Sequence, residues 1–227
     1  MEPLLLCDSS GNQVPKSLLN VLAALSSEEA INASDVLVGL IYILMLETGF
    51  VTTDIDAPPE ECLSSDFHYH RFLRCTTQLP KNWIKNVHNY NFSFILLPYR
   101  QHICHISCIP VCEDIIVNCT IEGINSSHLS ILIDPFLYVL KSSEGVKWRF
   151  QNLKSLSLYF KNEISYPAKM VILQNNNVGC ACLQNLPVEV LLNIVKYLDG
   201  RALYKFKEVC KYFKEVCLSD RIYKKMH

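Results

Sequence analysis

Hydrophobic positions follow three successive rhythms along the chain. Within residues 12–31, Leu18, Leu19, Val21, Leu22 and Leu25 recur at helical spacing, and Ser17 stands where a cap belongs. Ser34 and Asp35 then precede an unbroken apolar run, Val36 to Leu46. This predicts a helix over 36–47, capped by Ser34 and Asp35 and closed by Gly49. A helix apolar nearly all round belongs in the middle of its domain. Residues 52–66 carry two prolines, five acids and little periodicity, and read as a loop.

Beyond that loop the rhythm turns to β. The runs FHYHRFLRCTT (67–77), NYNFSFILLPY (89–99), HICHISCI (102–109), DIIVNCTI (114–121) and SHLSILI (127–133) are short, β-branched and aromatic. They predict an antiparallel sheet of about five strands. Helical spacing returns over 146–164 through Trp148, Leu153, Leu156, Tyr159 and Phe160, and Pro167 marks the end of that region. Residues 174–179, QNNNVG, read as a polar linker, and the remaining chain as a separate helical block. The fold class is therefore α+β: a sheet packed with helices over 1–175, then a small all-helical domain over 180–227.

Composition narrows the function. Twenty-one basic and 22 acidic residues leave a net charge of −1, which offers no electrostatic reason to expect nucleic acid or an anionic membrane. The longest apolar run has 11 residues, and a membrane-spanning helix needs about 20. The N-terminal MEPLLLCDSSG lacks the basic start and apolar length of a signal peptide. The four Asn-x-Ser/Thr triplets, at Asn32, Asn91, Asn118 and Asn125, are accordingly not expected to be glycosylated. Eleven cysteines without paired spacing are expected to be reduced thiols of a cytosolic or nuclear protein.

One stretch, HICHISCIPVC (102–112), concentrates potential chemistry in His102, Cys104, His105, Cys108 and Cys112. A structural zinc site needs four ligands at one point. Strand alternation sends His102, Cys104 and Cys108 to one face and His105 to the other. No cationic neighbour or helix N-terminus stands ready to form a thiolate. Neither catalytic residues nor a metal are expected, and no phosphate-loop, zincin or nucleophile-elbow motif occurs elsewhere. The acids Asp54, Asp56, Glu60 and Glu61 suit a solvated loop, and His68 and His70 a strand face. The stretch reads instead as a strand using cysteine as a small apolar residue. Its lack of charge, together with Pro110, predicts a sheet edge open to a partner strand. Ile103, Ser107 and Ile109 would then face the partner, while Cys104, Ile106 and Cys108 face the core.

In the C-terminal block, Asn185 and Pro187 begin a helix with Val190, Leu191, Ile194, Val195 and Leu198 on one face. Asp199-Gly200 breaks it. Leu203, Phe206, Val209, Cys210, Phe213 and Cys217 continue a second stripe, with lysines and glutamates opposite. Helices this short must bury that stripe on the rest of the chain or on a partner. The pattern NLPVEVLLNIVKYLD, then Leu203, Phe206 and Val209-Cys210-Lys211 before Phe213, resembles an F-box. That resemblance implies docking on a Skp-type adaptor of a cullin-RING ubiquitin ligase. The implied contacts are Leu186, Pro187, Ile194, Leu198, Leu203, Phe206, Val209 and Phe213. Asp220-Arg221-Ile222-Tyr223 departs from the Leu-Trp common at the end of the motif.

The preceding three quarters also carry a resemblance. QVPKSL (13–18), IYILMLETGFV (41–51), ISCIPVCEDIIVNCTI (106–121) and ISYPAKM (164–170) are similar to the domain shared by the 31-kilodalton proteasome inhibitor and the family of F-box only protein seven and nutcracker. The domain order fits the latter family. It implies an α/β dimerisation module without catalytic residues, metal or cofactor, which pairs with itself or with the proteasome inhibitor. The expected function is a non-enzymatic ligase adaptor. The alternative is a proteasome regulator acting mainly by heterodimerisation, and a third reading is a metal-dependent enzyme built on the histidine–cysteine strand.

Overall fold

A computed structural model describes residues 4–9, 13–26, 31–53, 69–77, 89–124, 128–141, 148–178, 183 and 186–218. The acidic loop residues Asp54, Asp56, Glu60 and Glu61, as well as His68, Cys180, Cys182, Asn185 and Asp220–Tyr223, lie outside this set.

Helix α1, Lys16–Ser26, leads into α2, Ala33–Glu47. Ser17 is not a cap: it lies inside α1 and is buried. The cap of α2 falls two residues earlier than Ser34. Asn32 accepts from the Asp35 backbone N–H at 2.9 Å, and Asp35 accepts from the Asn32 N–H at 2.7 Å. Two orphan donors of the first turn are satisfied reciprocally. Every residue from Val36 to Glu47 is buried, so the apolar run is the central helix its composition predicts. Gly49 follows with φ of 98°, a left-handed conformation that a side chain would strain.

Strand β1, Phe50–Thr52, leaves α2 directly. The segment expected as the first strand is instead α3, Tyr69–Thr77. Among its described side chains Phe72, Cys75 and Thr76 are buried, a spacing of three and four that only a helix turns to one side. The buried Tyr42 hydroxyl donates to the Cys75 carbonyl at 2.9 Å, tying α3 to α2.

The sheet continues with β2 (Tyr90–Leu96), β3 (Tyr99–Val111), β4 (Asp114–Ile121) and β5 (His128–Ile133). All neighbours are antiparallel in the order β1-β2-β3-β4-β5. A separate two-stranded ribbon joins β6 (Val139–Lys141) to β7 (Trp148–Phe150). Trp148 therefore belongs to a strand rather than to the helix expected there. That helix, α4, spans Leu153–Phe160, passes through a π-helical turn at Lys161–Ser165 and resumes as α5, Tyr166–Asn175. Pro167 does not end it. The ring sits in the first turn of α5, where a missing N–H is tolerated, and the wider π turn lies just before it.

The C-terminal helices are α6 (Val188–Lys196), α7 (Gly200–Val209) and α8 (Lys211–Leu218). Asp199 caps α7, accepting from the Ala202 N–H at 2.7 Å. Cys210, in extended backbone, separates α7 from α8. Buried apolar residues form one cluster that runs from Leu5 through α2 and the inner sheet face to Cys217.

Candidate partner-binding surfaces

The histidine–cysteine stretch lies in β3, and β3 is the middle strand of the sheet. The edge placement is therefore corrected: the edges are β1 and β5. Pro110 is compatible with the central position because β2 begins opposite Cys108, so Pro110 lies past that pairing and, among the described strands, pairs with β4 alone. Alternation sorts the side chains. Cys104, Ile106 and Cys108 are fully buried, while Ile103, Ser107 and Ile109 are half-buried on the opposite face.

That opposite face is an open one. Ile109 stands beside Ile116 of β4, and Ile116 beside the exposed Leu132 of β5. Ser107, Asn118 and Ser130 form the next row, and the Ser130 hydroxyl donates to the Asn118 Oδ1 at 2.7 Å. His105 sits between Ser93 and Thr120 and pairs with the Glu122 carboxylate at 2.8 Å. The face thus offers a polar field with an isoleucine–leucine strip at one end.

His102 is buried and bonds its Nε2 to Asn175, at 3.2 Å, at the end of α5. Cys104 and Cys119 bring their sulfurs within 3.4 Å in the core. Burial pushes the Cys108 thiol up, away from thiolate character. The potential ligands are split between core, open face and the exposed Cys112. Among the described residues, no three His, Cys, Asp or Glu side chains converge as a metal site.

The C-terminal helices present a second surface. Val188, Leu191, Leu192 and Val195 form the buried stripe of α6, leaving Val190 exposed rather than on the inward face. Leu186, Pro187, Ile194, Leu198 and Phe206 are half-buried, and Val209 is 66% exposed. Leu203 and Phe213 are only 3% and 4% exposed. Phe213 stacks on Phe206 with ring centroids 4.2 Å apart. In the chain by itself both side chains are covered by internal packing. Tyr197, 90% exposed, and the exposed Tyr204 join the surface, although the apolar stripe did not include them. A large aromatic residue next to a lysine, Lys196 or Lys205, was their visible signal.

Residues 183–227 match the F-box-like family. Nearly the whole chain is also similar to F-box only protein 7. The Bos taurus protein is 27% identical over 231 residues, covering 96% of this chain and 38% of that one. The Homo sapiens protein is 28% identical over 221 residues, covering 92% of this chain and 37% of that one. The chain thus spans less than two fifths of the length of these relatives. Helices α6 to α8 lie within the F-box-like segment, and the five-stranded sheet precedes it.

Between α2, the π-helical turn and α6 of the F-box-like segment lies a buried charge cluster that the sequence patterns did not flag. Lys161, only 2% exposed, donates to the Glu47 Oε2 at 2.7 Å and also pairs with Glu189 of α6. The Glu47 Oε1 accepts from the Leu6 N–H at 2.8 Å, and the Tyr166 hydroxyl donates to the Glu189 Oε2 at 3.0 Å. Burial alone would lower the Lys161 ammonium, but the two carboxylates outweigh it and hold it above its ordinary value. Glu189 would be raised by burial, yet Lys161 and its hydrogen bonds hold it below 4.5. Glu47 is pushed up, because burial outweighs Lys161. Both of its oxygens nevertheless accept from N–H donors, leaving no acceptor for a carboxyl proton. The ionised form is the one this geometry holds. The sequence signals were a lone acid ending an apolar helix and a lysine on the stripe of Leu153, Leu156 and Phe160.

Proposed function

We propose that this chain is a non-catalytic adaptor of a Skp–cullin–RING ubiquitin ligase, acting in the cytoplasm and nucleus. Its F-box-like helices dock on the Skp-type adaptor. Its sheet domain holds partners, among them the 31-kilodalton proteasome inhibitor or a second copy of the chain. The observation that carries the reading is the F-box-like match at 183–227, on helices that leave Val190, Tyr197, Tyr204 and Val209 outward. Leu186, Pro187, Ile194, Leu198 and Phe206 of the same segment are half-buried, so each keeps apolar area within reach of a partner. The similarity to F-box only protein 7 supports the same reading.

Affinity purification of the full chain tests it, with Skp-type adaptor, cullin and proteasome inhibitor expected among the co-purifying proteins. Leu186→Ala with Pro187→Ala, or Ile194→Ala alone, should weaken adaptor capture by about 2 kcal/mol or more if these are hot spots. Capture undiminished by both variants would refute adaptor docking through this segment.

The open sheet face favours a second reading, a proteasome regulator working mainly by heterodimerisation through Ile103, Ser107 and Ile109. Recovery of the inhibitor without adaptor or cullin would select it.

A further inference from the structure

Adaptor docking needs exposed apolar residues on α6 to α8, and partner binding needs a free sheet face. Neither needs a buried ammonium shared by two carboxylates. Within the sheet domain, Lys161 and Glu47 already form a buried, hydrogen-bonded pair of zero net charge. The second carboxylate arrives from outside that domain, on the first turn of α6. It adds a negative charge to a nearly dry site, where apolar side chains would pack with less desolvation. What a charged contact adds is direction, since charge-assisted hydrogen bonds hold tighter distances and angles than apolar packing.

The π-helical turn builds the receiving side. Lys161 and Tyr166 are five residues apart, which in a regular α-helix would separate their side chains by about 140°. Here the Tyr166 N–H donates to the Lys161 carbonyl, the i to i−5 bond of a π turn. Both side chains are thereby turned to one side, and each takes one oxygen of Glu189: Lys161 binds Oε1 and Tyr166 binds Oε2. A carboxylate gripped at both oxygens is fixed in rotation as well as in place. Glu189 is the second residue of α6, where the helix N-terminus also favours a negative charge. The grip therefore acts directly on the orientation of the helix that opens the F-box-like segment.

We propose that Lys161 and Tyr166 form a socket for Glu189 that fixes the angle between the F-box-like helices and the sheet domain. A protein docked on the helices and a protein docked on the sheet face are then held in one set arrangement. Lys161, Tyr166 and Glu189 are positioning residues, and this role does not depend on which partners either surface takes.

Residual dipolar couplings of the 15N-labelled full chain test the socket. In the wild type, amides of β2–β5 and of α6–α8 should fit one alignment tensor. In Glu189→Gln, and more fully in Glu189→Gln with Tyr166→Phe, both sets should keep their folded chemical shifts. The α6–α8 set should then require a tensor of its own, and 15N relaxation should report faster tumbling for it. Glu189→Leu should behave like Glu189→Gln, because an apolar contact lacks the directional grip. A single shared tensor in Glu189→Gln, or in Glu189→Leu, would overturn the proposal. So would loss of the helical shifts of α6–α8, which would make Glu189 a folding residue rather than a positioning one.

Discussion

Leu203 and Val209 lie on the same helix, α7, yet they answer to different forces. Leu203 is sealed inside the chain, whereas Val209 faces solvent. Leu203→Ala should therefore cost about 2–5 kcal/mol of stability in urea denaturation, through lost burial and the cavity left behind. Val209→Ala should leave the denaturation midpoint within about 0.5 kcal/mol of wild type and instead weaken adaptor capture. An equal effect of both on stability would contradict the split. Tyr42 makes a similar point in polar terms. Its ring packs near Phe92 and Phe94 while its hydroxyl serves the buried Cys75 carbonyl. Tyr42→Phe keeps the ring and removes the donor, with an expected loss of about 1–3 kcal/mol.

At the scale of elements, α2 shows how local and tertiary causes agree. Its apolar run, capping box and terminal glycine all call for one buried helix. Asn32→Ala should cost about 1 kcal/mol, because the Asp35 N–H loses its acceptor. Helix α3 shows the opposite. The aromatic and histidine-rich run FHYHRFLRCTT suits a strand by propensity, and packing against α1 and α2 makes it a helix. For β3, the sequence carried the face but not the neighbours. Ile109 lies on the open face, so Ile109→Glu adds an exposed charge to the free chain and an unpaired one to any interface covering it. The expected result is an unchanged circular dichroism spectrum and retained adaptor binding, with self-association or inhibitor binding lost in analytical ultracentrifugation. A folded variant that still associates would move the interface to another surface.

For the molecule as a whole, the Glu47–Lys161–Glu189 cluster links stability to pH. Glu189 is held below 4.5 in the folded chain, since Lys161 and its hydrogen bonds outweigh burial. A lowered carboxylate contributes stability that is present above its unfolded value and lost as pH falls through its folded value. Glu47, pushed up by burial, runs the other way. Glu189→Gln deletes the first contribution and changes the second less, because burial and Lys161 act on Glu47 more strongly than Glu189 does. The wild type should therefore exceed this variant in stability by its full margin at neutral pH, and the margin should shrink below about pH 4.5. Urea denaturation of both proteins along a pH series measures it. A margin independent of pH would show that Glu189 is not held as a carboxylate.

What the sequence determined by itself were the features written in neighbouring residues. The 3.6 and 2.0 periods located α2, β2 to β5 and the helices of the F-box-like segment, and alternation alone separated Cys108 from Ile109. Tertiary structure decided everything that joins residues far apart in the chain. It placed β3 in the middle of the sheet, because strand order depends on which elements find each other and leaves no mark on a strand's own pattern. It turned α3 into a helix, because burial of Phe72, Cys75 and Thr76 outweighed local preference. It also brought Glu47, Lys161 and Glu189 together, since a buried charge is stable only beside its partner and those partners stand 114 and 28 residues away.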